Sequence, residues 1–155
     1  VQLVNTYGVT EVAVYQTHHV CTGQSGPKCI GTPYPNVDLV IVDPDLRPVP
    51  IGFVGEICLG GPQVGRGYLN LTDLSHQKFL PMPDSLSRFW DSAGPAKTPG
   101  PRLYRTGDLA RWLPDGTVDL VGRADSQVKI RGQRVELGEI ECVLRSCAVV
   151  QDVAC

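Results

Sequence analysis

Between residues 127 and 147 the apolar side chains change period from two to 3.6, and few backbones accommodate that change. "QVKI" and "RVEL" alternate apolar and charged residues around Gly132 and Gln133. On a two-stranded ribbon this puts Val128 and Ile130 on one side and Lys129 and Arg131 on the other. Downstream, Ile140, Val143, Leu144 and Cys147 fall at i, i+3, i+4 and i+7, the stripe of an amphipathic helix. Glu139 and Glu141 lie near its N-terminal end, where negative charge favours the helix dipole. A small α+β unit is the simplest reading. The charge density of "GRADSQVKIRGQRVELGEIE", residues 122 to 141, is then largely what a half-exposed ribbon and helix need on their solvent faces. That account leaves Arg123, Asp125 and Lys129, taken together, without a reason.

Upstream, short apolar runs bounded by Gly and Pro predict strands. Leu39, Val40, Ile41 and Val42 form a buried strand leaving through the Pro-rich "DPDLRPVPIG". "GEICLGG", residues 55 to 61, is a second, and "VGRGYLN" after it reads as a tightly bending loop. Residues 81 to 101 concentrate Pro, Ser and Gly without periodicity and read as a surface loop or insertion. "LARWL" and "TVDLVG" flank a "PDG" turn and predict a β-hairpin. The terminal "AVVQDVAC" looks like a strand being entered.

With 42% hydrophobic and 19% charged residues among 155, the chain can bury a real core. A formal net charge of -2 supplies no basic field for nucleic acid or an anionic membrane, and no apolar run approaches a spanning length. No signal peptide is visible, so a cytoplasmic protein is expected. The six cysteines are dispersed without a C-x-x-C, which favours reduced, mostly buried thiols over zinc or disulfides. His18 and His19 are adjacent and diverge on a strand, so a metal shared between them is not expected. Val1 at the front, a single methionine at Met82 and the abrupt stop at Cys155 read as cut ends, an internal piece of a longer protein.

"NTYGVTE" at 5 to 11, "GEICLGGPQVGRGYLN" at 55 to 70, "YRTGDLARW" at 104 to 112 and the 122 to 141 segment occur in an order that resembles the adenylate-forming enzymes. The resemblance is to the amino-acid adenylation domains of nonribosomal peptide synthetases, and "KIRGQRVELGEIE" favours the amino-acid-activating branch. The fold this implies is mixed α/β: the C-terminal part of the large AMP-binding subdomain over residues 1 to 123, then the hinge and beginning of a small C-terminal subdomain over 124 to 155. The implied chemistry is ATP-dependent, with Mg²⁺, an amino-acid substrate, and a phosphopantetheine thiol on a peptidyl carrier domain as acyl acceptor.

The same resemblance assigns roles. Glu11 is a hard oxygen ligand for Mg²⁺, with the Thr10 hydroxyl beside it for a phosphate oxygen. Tyr7 lines the adenine and Gly8 lets backbone approach the nucleotide. Val9 stands where the family usually has proline, which loosens the loop's φ restriction. Asp108 accepts from the ribose hydroxyls, although "TGD" by itself is equally compatible with a turn aspartate. Arg123 donates to ribose and phosphate, and Asp125 is the hinge about which the small subdomain turns. Lys129 and Arg131 serve the second pose or only a solvated strand face. Thr6, Val14 and Tyr15 line the substrate pocket.

"CTGQSGPKCIG", residues 21 to 31, superficially looks like a phosphate loop, but it falls where the family has a variable connection, and no G-x-x-x-x-G-K-[ST] occurs. By resemblance the family's own phosphate loop lies upstream and its adenylation lysine downstream, so the isolated chain is expected to be inactive. The competing readings are a noncatalytic carrier-docking module or degenerate adenylation domain and, within the enzymes, an aminoadipate-type carboxylate reductase or other acyl ligase.

Overall fold

The computed structural model describes residues 1–87, 102–125, 127–130, 133–147, 149–150 and 152–154. The backbone divides into two units, Val1–Gly122 and Arg123–Cys155.

The first unit is built on β1 (Val4–Tyr7), β2 (Thr17–Val20), β3 (Cys29–Pro33), β4 (Asp38–Val42), β5 (Gly55–Gly60), β6 (Phe79–Pro81), β7 (Arg102–Trp112) and β8 (Val118–Arg123). The strands form one sheet in the order β1-β2-β3-β8-β7-β5-β4, with β6 also on β7. Short helices α1 (Thr72–Lys78) and α2 (Asp84–Ser87) flank β6. Parity explains why the apolar residues of the central strands divide between two faces. Ile41, Ile57, Leu59, Tyr104 and Ala110 enter one core, while their neighbours Val40, Val42, Cys58 and Leu103 enter a second. With a core on each face, β5 is buried along its whole length, and its one charged residue, Glu56, is paired with Arg105.

The expected strands over Leu39 to Val42 and 55 to 61 are β4 and β5. The expected hairpin is β7–β8, closed by Leu113 N donating to Thr117 O at 2.8 Å. Its first strand begins seven residues earlier than "LARWL", because the Gly107 interruption is a bulge and not a strand end. The expected loop over 81 to 101 opens instead with the end of β6 and with α2, whose Leu86 is fully buried in the second core. Its remainder lies outside the described residues. His18 and His19 do diverge on β2: His18 stacks on Tyr34 with centroids 4.5 Å apart, and His19 Nε2 lies 2.8 Å from Ser25 Oγ.

The second unit contains β9 (Gln127–Ile130), β10 (Gln133–Glu136) and α3 (Leu137–Arg145). Ile130 pairs with Gln133, so Gln133 belongs to the strand and not to the turn; Arg131 and Gly132 lie outside the described residues. Ile140, Val143 and Leu144 are on α3, but Cys147 falls beyond its end, and all four are exposed. Residues 149–150 and 152–154 form no strand, because no strand in the chain pairs with them among the described residues. The five described cysteines are free: Cys29 and Cys58 are buried, Cys21 half-buried, and Cys142 and Cys147 exposed, so burial is not the rule expected for them. No described helix is long and apolar enough to cross a membrane.

Candidate functional site

The "TGD" motif owes its shape to a mismatch between two strands. Glu56 pairs with Leu109 and Cys58 with Arg105, so Ile57 alone stands opposite Thr106, Gly107 and Asp108. The surplus residues bulge, and Gly107 takes φ 76°, which a residue without Cβ adopts freely. Side chains replace the lost ladder. Thr106 Oγ1 donates to Ile57 O at 2.8 Å and accepts from Asp108 N at 2.9 Å, while Glu56 Oε1 accepts from Gly107 N at 3.0 Å. Glu56 Oε2 accepts from Arg105 Nε at 3.0 Å, and that hydrogen bond holds the Arg105 pKa above its ordinary value despite burial. Between these residues, Cys58 points into the second core, where burial, then the Glu56 charge, pushes its thiol up to about 12. It stays protonated and inert at neutral pH.

The bulge leaves Asp108 8% exposed, with Oδ2 accepting from Tyr7 Oη at 2.6 Å. Tyr7 ends β1, and three strands separate β1 from β7 along the sheet, a distance of about 19 Å if the sheet were flat. A tyrosine cannot span that, so the sheet curls until its first strand meets β7. The two motifs that carry Tyr7 and Asp108, 101 residues apart, are thus joined by one hydrogen bond.

Thr10 and Glu11 sit on a 3₁₀ turn, Thr10–Val12, anchored by Val12, which is fully buried. "VGRGYLN" clasps that turn twice: Gly65 N donates to Glu11 O at 2.8 Å, and Tyr68 Oη donates to Glu11 Oε1 at 2.8 Å. A Cβ on Gly65 would lie 3.0 Å from Glu11 O, so a side chain there would crowd the contact. Tyr68 Oη is also 3.1 Å from Tyr104 Oη, whose pKa is driven well above the phenol range by burial, then by the Tyr68 hydrogen bond and the Glu11 charge. Tyr104 therefore keeps its proton, and its hydroxyl stays within hydrogen-bond reach of Tyr68. Tyr68, Gly65 and Tyr104 lie inside quoted motifs, yet nothing in the sequence connects them to Glu11, 54 or more residues away.

The turn continues into strained backbone. Ala13 has φ 61° and Val14 φ 79°, and Tyr15 N donates to Ala13 O at 3.1 Å, closing a three-residue turn centred on Val14. A β-branched residue at positive φ costs on the order of 1–3 kcal/mol and persists only where its surroundings fix it. Gly8 is part of that fixing, since a Cβ there would collide with Val14 O and C and with Tyr15 Cα. Gly8 thus has an internal reason to be glycine, separate from any ligand. Thr6, Val14 and Tyr15 are all exposed, as is Thr10.

In the second unit, Arg123 Nε and Nη2 donate to Asp125 Oδ1 and Oδ2 at 2.8 and 2.7 Å, a two-pronged pair. The expected ribose donor and the expected hinge residue therefore bind one another. Among the described residues no three His, Cys, Asp or Glu side chains gather as a metal site. The single carboxylate of Glu11 still fits Mg²⁺, which keeps water and phosphate oxygens as most of its ligands.

The family profile described as AMP-binding enzyme matches residues 1–69, a span holding Tyr7, Thr10, Glu11 and Tyr68. Tyrocidine synthase 3 of Brevibacillus parabrevis is 47% identical over 148 residues, 93% of this chain. The chain belongs to the AMP-binding enzyme family. This AMP-binding chain is also 47% identical over 153 residues, 99% of its length, to phosphinothricin tripeptide synthetase PhsB of Streptomyces viridochromogenes. It spans 2% of the first relative and 12% of the second. Among solved structures, PA1221, an NRPS protein containing adenylation and PCP domains, matches 97% of the chain with a TM-score of 0.79 at 28% identity, over 29% of its own length. The mixed sheet-and-helix architecture is thus that of an adenylation-domain segment.

Proposed function

We propose that this AMP-binding chain is a segment of an ATP-dependent ligase that activates an amino acid and passes it to a carrier domain. In the first step a carboxylate oxygen of the amino acid bonds to the α-phosphorus of ATP and the bond to the bridging oxygen breaks, giving an aminoacyl-adenylate and pyrophosphate. In the second, the phosphopantetheine thiol of a peptidyl carrier domain loses its proton and bonds to the acyl carbon, and AMP leaves. Both steps move negative charge, so the residues needed are those that hold the nucleotide still and face its phosphates.

The observation that carries this reading is the Tyr7–Asp108 hydrogen bond at 2.6 Å, because it joins two distant motifs in one place. A carboxylate has about four acceptor sites, so a phenol on one oxygen leaves capacity for ribose hydroxyls. In this reading Asp108 accepts from the ribose, Tyr7 fixes the carboxylate's orientation and lines the base, and Thr10 offers its hydroxyl to a phosphate oxygen. Glu11, oriented by Tyr68, holds Mg²⁺, which when bound neutralises phosphate charge. Thr6, Val14 and Tyr15 line the amino-acid pocket. Arg123 serves the nucleotide and Asp125 the hinge, which requires their mutual ion pair to open when Arg123 engages ligand. The setting is the cytoplasm.

Amino-acid-dependent exchange of pyrophosphate into ATP by the full-length protein tests the proposal across a panel of amino acids. One or a few amino acids support exchange, and Asp108→Ala lowers it by about a hundredfold or more. Exchange with no carboxylate tested, by a folded full-length protein carrying its carrier domain, overturns the ligase reading in favour of a docking role.

A further inference from the structure

Gln16 lies just outside "NTYGVTE", at a position where sequence offers no reason for a polar side chain, yet it is fully buried. Its side-chain amide spans the base of the 3₁₀ turn: Val9 N donates to Oε1 at 2.6 Å, and Nε2 donates to Val12 O at 2.6 Å. Its backbone is held as well, with Gln16 N donating to Tyr7 O at 2.8 Å and Gln16 O accepting from Tyr34 N at 2.9 Å. Val9 and Val12 bracket Thr10 and Glu11, and Val9 O also accepts from Val14 N at 3.1 Å. One amide therefore ties the entry of the turn to its exit. The left-handed pair Ala13 and Val14 begins immediately after that exit.

We infer that Gln16 is a positioning residue for amino-acid selection: it holds the positive-φ wall at Val14 and Tyr15 against the turn bearing Thr10 and Glu11. The inference rests on the ligase reading and extends it to a residue that touches neither substrate. The physical case is that a β-branched residue leaves the left-handed region when its tethers loosen. Val14 is tethered by its N–H to Val9 and by the approach of its carbonyl to Gly8, and Gln16 fixes Val9 itself. Relaxation of Val14 moves the wall the amino acid packs against. Tyr7 meets Gln16 through backbone, which a side-chain substitution leaves intact, and its hydroxyl is held by Asp108 on the β7 bulge, so this pair stays in place.

The test uses the full-length protein with Gln16→Met, which keeps the length of the side chain and removes both hydrogen bonds, and with Gln16→Glu. In a site this buried a glutamic acid is protonated at low pH, where it both accepts and donates, and loses the donor as it ionises. Exchange rates are normalised to active sites counted by a single-turnover burst of adenylate. Gln16→Met raises KM for the preferred amino acid about tenfold, lowers its preference over the next amino acid, and leaves KM for ATP within about twofold. Gln16→Glu falls between wild type and Gln16→Met, with an amino-acid KM that rises with pH more steeply than the wild type's.

Unchanged amino-acid KM and preference in both variants, with only a lower Tm or fewer active sites, overturns the inference and leaves Gln16 a purely structural residue. An equal rise in both KM values overturns it too. Absence of amino-acid-dependent exchange in the wild type is a separate result, which removes the ligase reading itself. If Gln16→Met does not fold, the pH dependence of Gln16→Glu decides alone, and a profile parallel to wild type counts against the inference.

Discussion

Asp108 and Asp125 each accept hydrogen bonds from another side chain, but the two bonds are made differently. Asp108 is 8% exposed, sits in a bulge whose backbone is pinned by Thr106 and Glu56, and meets a tyrosine 101 residues away. Asp125 is exposed and meets Arg123 two residues away. The first geometry is imposed by the whole sheet and exists only when the sheet is folded. The second is local, between residues two apart, and needs no distant strand to form it. A long-range and a local contact are therefore found in different units of one short chain. Under the proposed function, the first suits a nucleotide pocket and the second a hinge.

Ile57→Ala, removing a fully buried side chain opposite the bulge, lowers stability by about 3 kcal/mol in urea denaturation; a loss below about 1 kcal/mol contradicts a rigid core behind Asp108. Alkaline pH acts next. The Cys58 thiol is raised from 9.0 to about 12, so below pH 9.0 it is protonated folded or unfolded, and above it the unfolded chain releases the proton first. Stability carried by that proton is lost between pH 9.0 and about 12, an effect that Cys58→Ala removes from a pH series of denaturation curves. At pH 8, iodoacetamide labels exposed Cys142 and Cys147 before buried Cys58, as peptide mapping reads directly.

Tyr68→Phe deletes the hydroxyl on Glu11 and costs about 1 kcal/mol, read by the shift in denaturation midpoint; no shift shows that Glu11 is held without it. The smallest change is Val143→Ala on α3, 61% exposed, which alters stability by less than about 0.5 kcal/mol. A large loss there means that the apolar stripe of α3 is covered in solution, and the comparison between the units narrows.

The strands with continuous apolar character, β4 and β5, are legible because two-sided burial writes itself as a run of apolar residues. The β9, β10 and α3 order follows from the change of period. β7 is half hidden, since a glycine and two polar residues in mid-strand look like an end, and only the pairing with β5 reveals them as a bulge. The described residues of "AVVQDVAC", 149–150 and 152–154, differ for the opposite reason: strand propensity needs a paired neighbour, and none pairs with them among the described residues. The motifs bring forward Tyr7, Thr10, Glu11 and Asp108 as a set. They do not bring forward Gln16 or the Tyr68–Glu11 link, because a side chain's hydrogen-bond partner far along the chain leaves no local pattern.

The bond between Tyr7 and Asp108 has a consequence during synthesis. A ribosome adding roughly 5–20 residues each second needs about 5–20 s between the two, and during that interval Tyr7 has no carboxylate to meet. Closing that loop carries an entropic cost of its own, so the β1–β7 contact forms only after β7 has left the tunnel, and the curl of the sheet is completed late.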